Sequence, residues 1–413
     1  MTGYIRNLEQ KADFLLQIFP VIIIIGVRQC GKTTLVKKLR PHWKYFDLER
    51  LADFESITSD FSLFFKENPK NIIIDEAQLS PRLFSELKTV IDENRTDKGR
   101  FILTGSSSFE LLKNVSESLA GRVAVIELGT LKMNEILGSP LTDFYQIFKN
   151  KLDSDTITFI KSLKIISNYD SIQNIFLRGG YPEPLLQYDP LFYKEWMENY
   201  FQSYVQRDIK RLFPKLNDIR YRRFLSMLAS LSGNMINRSE LGRSLDVSEP
   251  TIKEYLDIAH GSFIWRNIPS YQSSVSRSIM KMPKGIFRDA GLKHFLLKIH
   301  DREDLFRSPF MGGSFEAFII EELIKGVQSL PGVIADFYYY RTKNGAEVDL
   351  ILEGSFGALP VEIKAGMETD KKKLFSLGRF IEENHLSFGL VINNSDEVRL
   401  ITEKIIQIPA GLL

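Results

Sequence analysis

One stretch, Val21–Leu35, reads VIIIIGVRQCGKTTL and constrains this chain more than any other. Five apolar residues, four of them isoleucines, stop at Gly26; Gly31, Lys32 and Thr33 follow, and then an apolar run with helical spacing. The apolar run reads as a buried strand, and G-x-x-x-x-G-K-[ST] between a strand and a helix is the pattern of a loop that cradles phosphates. Across Gly26, Val27, Arg28, Gln29, Cys30, Gly31, Lys32, Thr33 and Thr34, backbone N–H groups are expected to face anionic oxygens, aided by the partial positive charge of the helix start. Lys32 is expected on the β- and γ-phosphates, and the Thr33 hydroxyl on Mg²⁺. The competing reading is a chance match in a strand–helix turn.

A second motif answers that alternative. In NIIIDEAQ, Asn71–Gln78, three isoleucines form a buried strand from which Asp75 and Glu76 emerge. Asp75 is expected to orient Mg²⁺ through water, and Glu76 to act as the general base on an attacking water. FILTGSSS (101–108) places Thr104 at another strand end, where it either bonds the γ-phosphate or lytic water or merely caps the strand. SLAGRVAVIEL (118–128) offers Arg122. Its guanidinium either stabilises charge on the leaving phosphate, in cis or from a neighbouring subunit, or forms a surface salt bridge. Strands near 21–25, 44–48, 71–75, 101–104 and 123–128, with helical patterns at 4–19 and 61–66, predict an α/β fold with a parallel sheet under helices.

GVRQCGKTT, IIIDEAQ, FILTGSS and SLAGR, in this order, resemble the AAA-type ATPases common in bacteria and archaea, in the subset that carries a C-terminal domain of uncharacterised function. The resemblance implies a P-loop fold, ATP and Mg²⁺ as ligands, and ATP hydrolysis; relatives often form rings, which leaves a homo-oligomer open. In related ATPases a Gly-x-Pro turn of a helical lid packs on the nucleotide base. Gly180, Tyr181 and Pro182 in FLRGGYPEPLL are similar to it, against the alternative of an ordinary turn.

At 413 residues the chain has room for two to four domains. The expected plan is an AAA-type core at 1–135, a helical lid at 136–220, a winged helix-turn-helix at 221–285 and an α/β domain at 286–413 that, on the residues given below, resembles restriction endonucleases. A net charge of +2 says little about partners. Cys30, the sole cysteine, excludes an internal disulfide and reads as a small loop residue rather than a nucleophile. No apolar run reaches the ~18 residues of a membrane span, and the first residues lack a signal-peptide layout. The expectation is a cytoplasmic protein without a membrane partner.

From Arg207 to Arg223 seven Lys/Arg face two Asp, which reads as a solvated helix face or a phosphate contact. NRSELGRSLDVSEPTIKEYLDIAHGSFIWRNIPSY then has the form of a helix-turn-helix with a strand: Ser239 as cap of the first helix, Pro250 early in the second. Glu249, Thr251, Lys253 and Glu254 are the exposed candidates for DNA contact, supported by Arg238, Arg243, Arg266 and Arg277. Two glutamates among four favour a structural or docking role over DNA binding.

GGSFEAFIIEELIKGV (312–327) reads as a helix bearing Glu316, and residues 337–366 as three strands. In the second strand Val348, Leu350 and Leu352 are expected on one face, and Glu347, Asp349 and Ile351 on the other. Glu362 and Lys364 share a face of the third. Asp349 and Glu362, with the Ile363 carbonyl, are expected to hold Mg²⁺; Lys364 would position or activate water, and Glu316 would complete the acidic cluster. The arrangement is similar to the PD-(D/E)XK superfamily. It leaves two readings open: an ATP-gated nuclease acting on DNA or RNA, or an ATP-switched regulatory or DNA/protein-binding module with a silent nuclease-like domain. His294, His300 and His385 lack ligand-like spacing and read as packing or surface residues.

Overall fold

The computed structural model describes residues 4–106, 115, 117–187, 189–271, 282–342 and 345–413. Ser107 and Ser108 of the expected third motif, and Arg277, lie outside the described residues. The chain clusters into two compact units: residues up to Thr130 together with segments 261–263 and 329–331, and the remainder.

The first unit alternates helix and strand: α1 (Leu8–Ile18), β1 (Val21–Ile25), α2 (Lys32–Leu39), β2 (Lys44–Asp47), α3 (Leu51–Thr58), α4 (Phe61–Glu67), β3 (Ile72–Asp75), α5 (Pro81–Glu93), β4 (Phe101–Gly105) and β5 (Val123–Glu127). The five strands form one sheet, order β2-β3-β4-β1-β5, with every pairing parallel. Parallel strands covered on both faces need continuous apolar sequence, and β1, β3 and β4 are buried along their whole length. On α5 the apolar stripe Leu83, Phe84, Leu87 and Ile91 faces the core, and Pro81 takes the first helical position, where its missing N–H costs nothing. Sequence reasoning passed over α3, because Ile57 is the one buried residue on it and Leu51 is 70% exposed. The sheet order has a topological consequence: β1 sits between β4 and β5, so the loop after β1 opens at the strands' C-terminal edge, where open α/β sheets bind ligands.

The second unit opens with helical segments, among them α6 (Tyr169–Arg178), α7 (Pro182–Leu185) and α8 (Pro190–Ser203). Then come α9 (Asp218–Leu231), β6 (Asn234–Met235), α10 (Arg238–Leu245), α11 (Glu249–Gly261), β7 (Trp265–Ile268) and β8 (Lys284–Phe287). The three strands pair antiparallel in the order β6-β8-β7. The cap of α10 is Asn237, whose Oδ1 accepts the Glu240 N–H at 3.3 Å; Ser239, expected there, instead donates its hydroxyl to Asn237 at 2.9 Å. Arg266 does not project as a free wing cation: it is paired with the buried Glu321.

The chain continues through α12 (Ala290–Leu296) and α13 (Met311–Gln328) into β9 (Ala335–Arg341), β10 (Glu347–Gly354), β11 (Gly357–Ile363), α14 (Phe375–Glu383), β12 (Gly389–Asn393), β13 (Arg399–Thr402) and β14 (Ile405–Pro409). These strands form a mixed sheet, order β13-β14-β12-β11-β10-β9. One element departs from the expected alternation. The β9–β10 register shifts between Val348 and Ile351, and both residues pack in one cluster with Leu377, Phe380 and Ile381. A bulge adds one residue and changes the phase of the side chains, so Val348 and Ile351 share a face that strict alternation would have split.

Candidate functional site

At the end of β1 the chain turns where a side chain has no room: a Cβ on Gly26 would lie 2.1 Å from the Leu128 carbonyl oxygen. Gly31 holds φ 96°, a left-handed conformation natural to glycine, and starts α2. The Cys30 thiol is buried and donates to the Leu128 carbonyl at 3.3 Å. Arg6 clamps the loop from outside the motif, donating to the carbonyls of Cys30 and Gly129, each at 2.7 Å. Val27 is buried, Thr34 is exposed, and Arg28 lies 3.4 Å from Glu49. The Lys32 ammonium folds back over the loop and donates to the Gly26 and Val27 carbonyls at 3.0 and 3.1 Å.

Asp75 is the hub across from the loop. Its Oδ2 accepts the Thr33 hydroxyl at 2.6 Å and the Tyr45 hydroxyl at 2.5 Å, while its Oδ1 accepts from Thr104 and from the Glu76 N–H, the latter at 3.1 Å. Thr104 thus serves the acid rather than standing alone as a strand cap. Glu76 holds φ 53°, an unusual backbone for a non-glycine residue. Its Oε2 accepts from Gln78 and, at 2.8 Å, from the Ser106 hydroxyl. The carboxylate is therefore aimed by two donors on different elements. Arg122 forms two 2.8 Å hydrogen bonds with Asp92, the salt bridge that was the alternative for it.

Several residues here escaped sequence reasoning. Tyr45 pairs in register with Ile73, so nothing in its spacing pointed towards Asp75. Burial, and then the Asp75 carboxylate, push its phenol well above the ordinary range, so it stays a donor. Gln78 was inside NIIIDEAQ without a role, and Ser106, just after β4, was likewise inside FILTGSSS without one.

Pro182, the expected base contact, opens α7 in the second unit. The preceding turn is fastened inside that unit: the Gly180 N–H donates to Asp289 at 2.8 Å, and its carbonyl accepts from the Leu131 N–H at 2.7 Å. A Cβ on Gly180 would meet the Leu131 carbonyl at 2.3 Å, which is why glycine stands there.

The second unit also gathers the C-terminal acids. Asp349 Oδ2 accepts the Ile363 N–H at 2.8 Å, and Lys364 pairs with Glu362. Sequence reasoning left out Lys284 at the start of β8. It is 2% exposed, and its ammonium bonds Glu316, lies 3.1 Å from Glu347 and 3.8 Å from Asp349. Among the described residues, no three His, Cys, Asp or Glu side chains are arranged to hold a metal ion. Burial and then Asp349 raise the Glu316 carboxyl to about 8, against the pull of Lys284. Burial and then Asp349 likewise raise Glu362 to about 7, opposed by Lys364. For Lys284 burial works against the charge, but Glu316, Asp349 and Glu347 outweigh it and keep the group cationic.

Residues 19–137 match the family described as "AAA domain"; residues 169–303 and 311–413 match two families, each described as a domain of unknown function (DUF8612 and DUF4143). The uncharacterized protein Rv2008c of Mycobacterium tuberculosis is 32% identical over 348 residues, covering 84% of this chain and 70% of that protein. Mb2031c of Mycobacterium bovis gives the same figures. Among solved structures, the Walker-type ATPase PABY2304 of Pyrococcus abyssi aligns with a TM-score of 0.44 at 15% identity, over 70% of this chain and 94% of that one.

Proposed function

The chain belongs to the family of the mycobacterial protein Rv2008c and carries an AAA-type P-loop domain; from that premise we propose that it is a Mg²⁺-dependent ATPase whose nucleotide state controls its second unit. The observation that carries this reading is the Asp75 hub, which joins the loop's Thr33, the strand-end Thr104 and Glu76 in one hydrogen-bonded set. The Thr33 hydroxyl and Asp75 carboxylate are hard oxygen donors side by side, which fits Mg²⁺ arriving with a nucleotide. The ion would neutralise charge between the β- and γ-phosphates. Anionic phosphate oxygens are stronger acceptors for Lys32 than the two carbonyls it now bonds. Held by Gln78 and Ser106, Glu76 takes the proton of a water that attacks the γ-phosphorus while the bond to the bridging oxygen breaks. The test is nucleotide binding by the full chain: wild type should bind a fluorescent ATP analogue in a Mg²⁺-dependent way, and Lys32→Ala should lose most of that binding. Equal binding by the two proteins would remove the loop from the account.

For the output we read α9 to β8 as a winged helix and the C-terminal sheet as a nuclease-like fold that binds a nucleic acid or protein partner without cutting it. Lys284 favours this reading, because its ammonium lies among the acids that a metal-dependent nuclease would leave open. The Arg238–Glu249 pair at 3.3 Å and the engagement of Arg266 with Glu321 likewise reduce the charge left for DNA phosphates. One observation favours the second reading, cleavage by Asp349, Glu362 and Lys364: Asp349 bonds the backbone between the other two. Plasmid incubated with Mg²⁺ and ATP separates the readings. Wild type and Asp349→Ala should leave it equally intact; nicking by wild type alone would favour the nuclease.

A further inference from the structure

PD-(D/E)XK resemblance implies a divalent metal at Asp349 and Glu362, and the residues present do not fit one. Mg²⁺ requires near-octahedral oxygen ligands and keeps several waters. Here an ammonium on β8 bonds the helix carboxylate Glu316 and lies 3.1 Å from Glu347 and 3.8 Å from Asp349 on β10. We infer that Lys284 is a built-in counterion that takes the place of the metal, and that the C-terminal acid cluster works without a divalent cation.

Three further observations support the substitution. Four carboxyl groups, Glu316, Glu347, Asp349 and Glu362, face three cations, Lys284, Arg341 and Lys364, so the cluster holds no large excess of negative charge. Such a set offers a dication little net attraction, and an ammonium in its midst repels one. Asp349, the central ligand in the metal reading, spends Oδ2 on the Ile363 N–H and turns Oδ1 towards Lys284. Finally, Lys284 is buried among its partners. A buried lysine persists as a cation only where carboxylates surround it, so these acids support its charge as it neutralises theirs. Among the described residues one oxygen of Glu362, Oε2, is buried without a hydrogen-bond partner; the other is taken by Lys364.

This inference deepens the uncut-partner reading and rests on it only for its functional meaning. The experiment titrates MnCl₂ into the nucleotide-free full chain and follows free Mn²⁺ by electron paramagnetic resonance. Wild type and Asp349→Asn should take up Mn²⁺ identically, since neither offers a metal site among these acids. Lys284→Gln should gain affinity for Mn²⁺ by roughly tenfold or more, and Lys284→Gln with Asp349→Asn should lose that gain. Uptake by wild type that Asp349→Asn abolishes overturns the inference, as does a folded Lys284→Gln protein that gains nothing. If Lys284→Gln does not fold, the wild-type and Asp349→Asn pair decides alone, with Lys284→Arg expected to resemble wild type. Plasmid cleavage without Mn²⁺ uptake would end the uncut-partner reading and leave the counterion standing, so the two fail separately.

Discussion

Glu76 combines a left-handed backbone conformation with a carboxylate that accepts from Gln78 and Ser106. Replacing it with glutamine keeps the shape but removes the proton acceptor. Glu76→Gln should lower phosphate release by about 100-fold or more while ATP binding stays near wild type. Undiminished turnover would remove Glu76 as the base. His294 gives a different residue-scale expectation. Its ring is buried, Nδ1 bonds the Leu177 carbonyl at 3.0 Å, and Nε2 has no hydrogen-bond partner among the described residues. Burial first, and then the charge of Lys293, lower its pKa to about 4, with the Leu177 bond opposing them. Between pH 6.5 and 4 the unfolded chain therefore binds the proton that the folded chain refuses, and stability falls on acidification by at most about 3 kcal/mol. Urea unfolding at pH 4.5 and pH 7 should show a smaller difference for His294→Gln than for wild type; equal differences would discard the assignment. At this scale the contiguous motifs singled out Thr33, Asp75 and Glu76, which the structure joins by hydrogen bonds, but gave Gln78 no role. The sequence hid Tyr45 and Lys284, whose partners are distant in the chain and are fixed by packing alone.

Elements divide along the same line. β1, β3 and β4 were legible because strands covered on both faces must be apolar throughout. α3 was not, since a helix that buries one side chain leaves no periodic signal. The phase change in β10 was invisible because a bulge is set by pairing with β9 rather than by residue type. The tie between α13 and the segment before α6 could not be read either. There the Lys132 ammonium and the Glu322 carboxylate, each 1% exposed, lie 3.3 Å apart, and Glu322 also accepts the Met133 N–H at 3.0 Å and pairs with Lys325 at 3.1 Å. Breaking a buried pair from one side strands the other charge. Lys132→Met should cost about 3 kcal/mol in urea unfolding, and Lys132→Met with Glu322→Gln should recover part of it. A single substitution within about 0.5 kcal/mol of wild type would show that Lys325 alone satisfies Glu322.

Across the whole molecule, the two units are built on separate sheets. Lys284 lies on one side of the expected boundary at 285/286, and Glu316 and Glu347, the acids it meets, lie on the other. The proposed control of one unit by the other has a calorimetric consequence. Mg·ATP at 100 times its Kd should stabilise the unit that binds it by about 2.7 kcal/mol. If nucleotide state reaches the second unit, that unit's transition should shift in the same scan. A shift confined to the first unit would leave ATP binding intact and remove the proposed control. The sheet order also bears on how the protein is made. Val21–Ile25 is synthesised before both of its flanking partners, Phe101–Gly105 and Val123–Glu127. At roughly 5–20 residues per second, this isoleucine run waits on the order of seconds for its neighbours, so the most apolar segment of the nucleotide domain is the one that nascent-chain chaperones would need to shield.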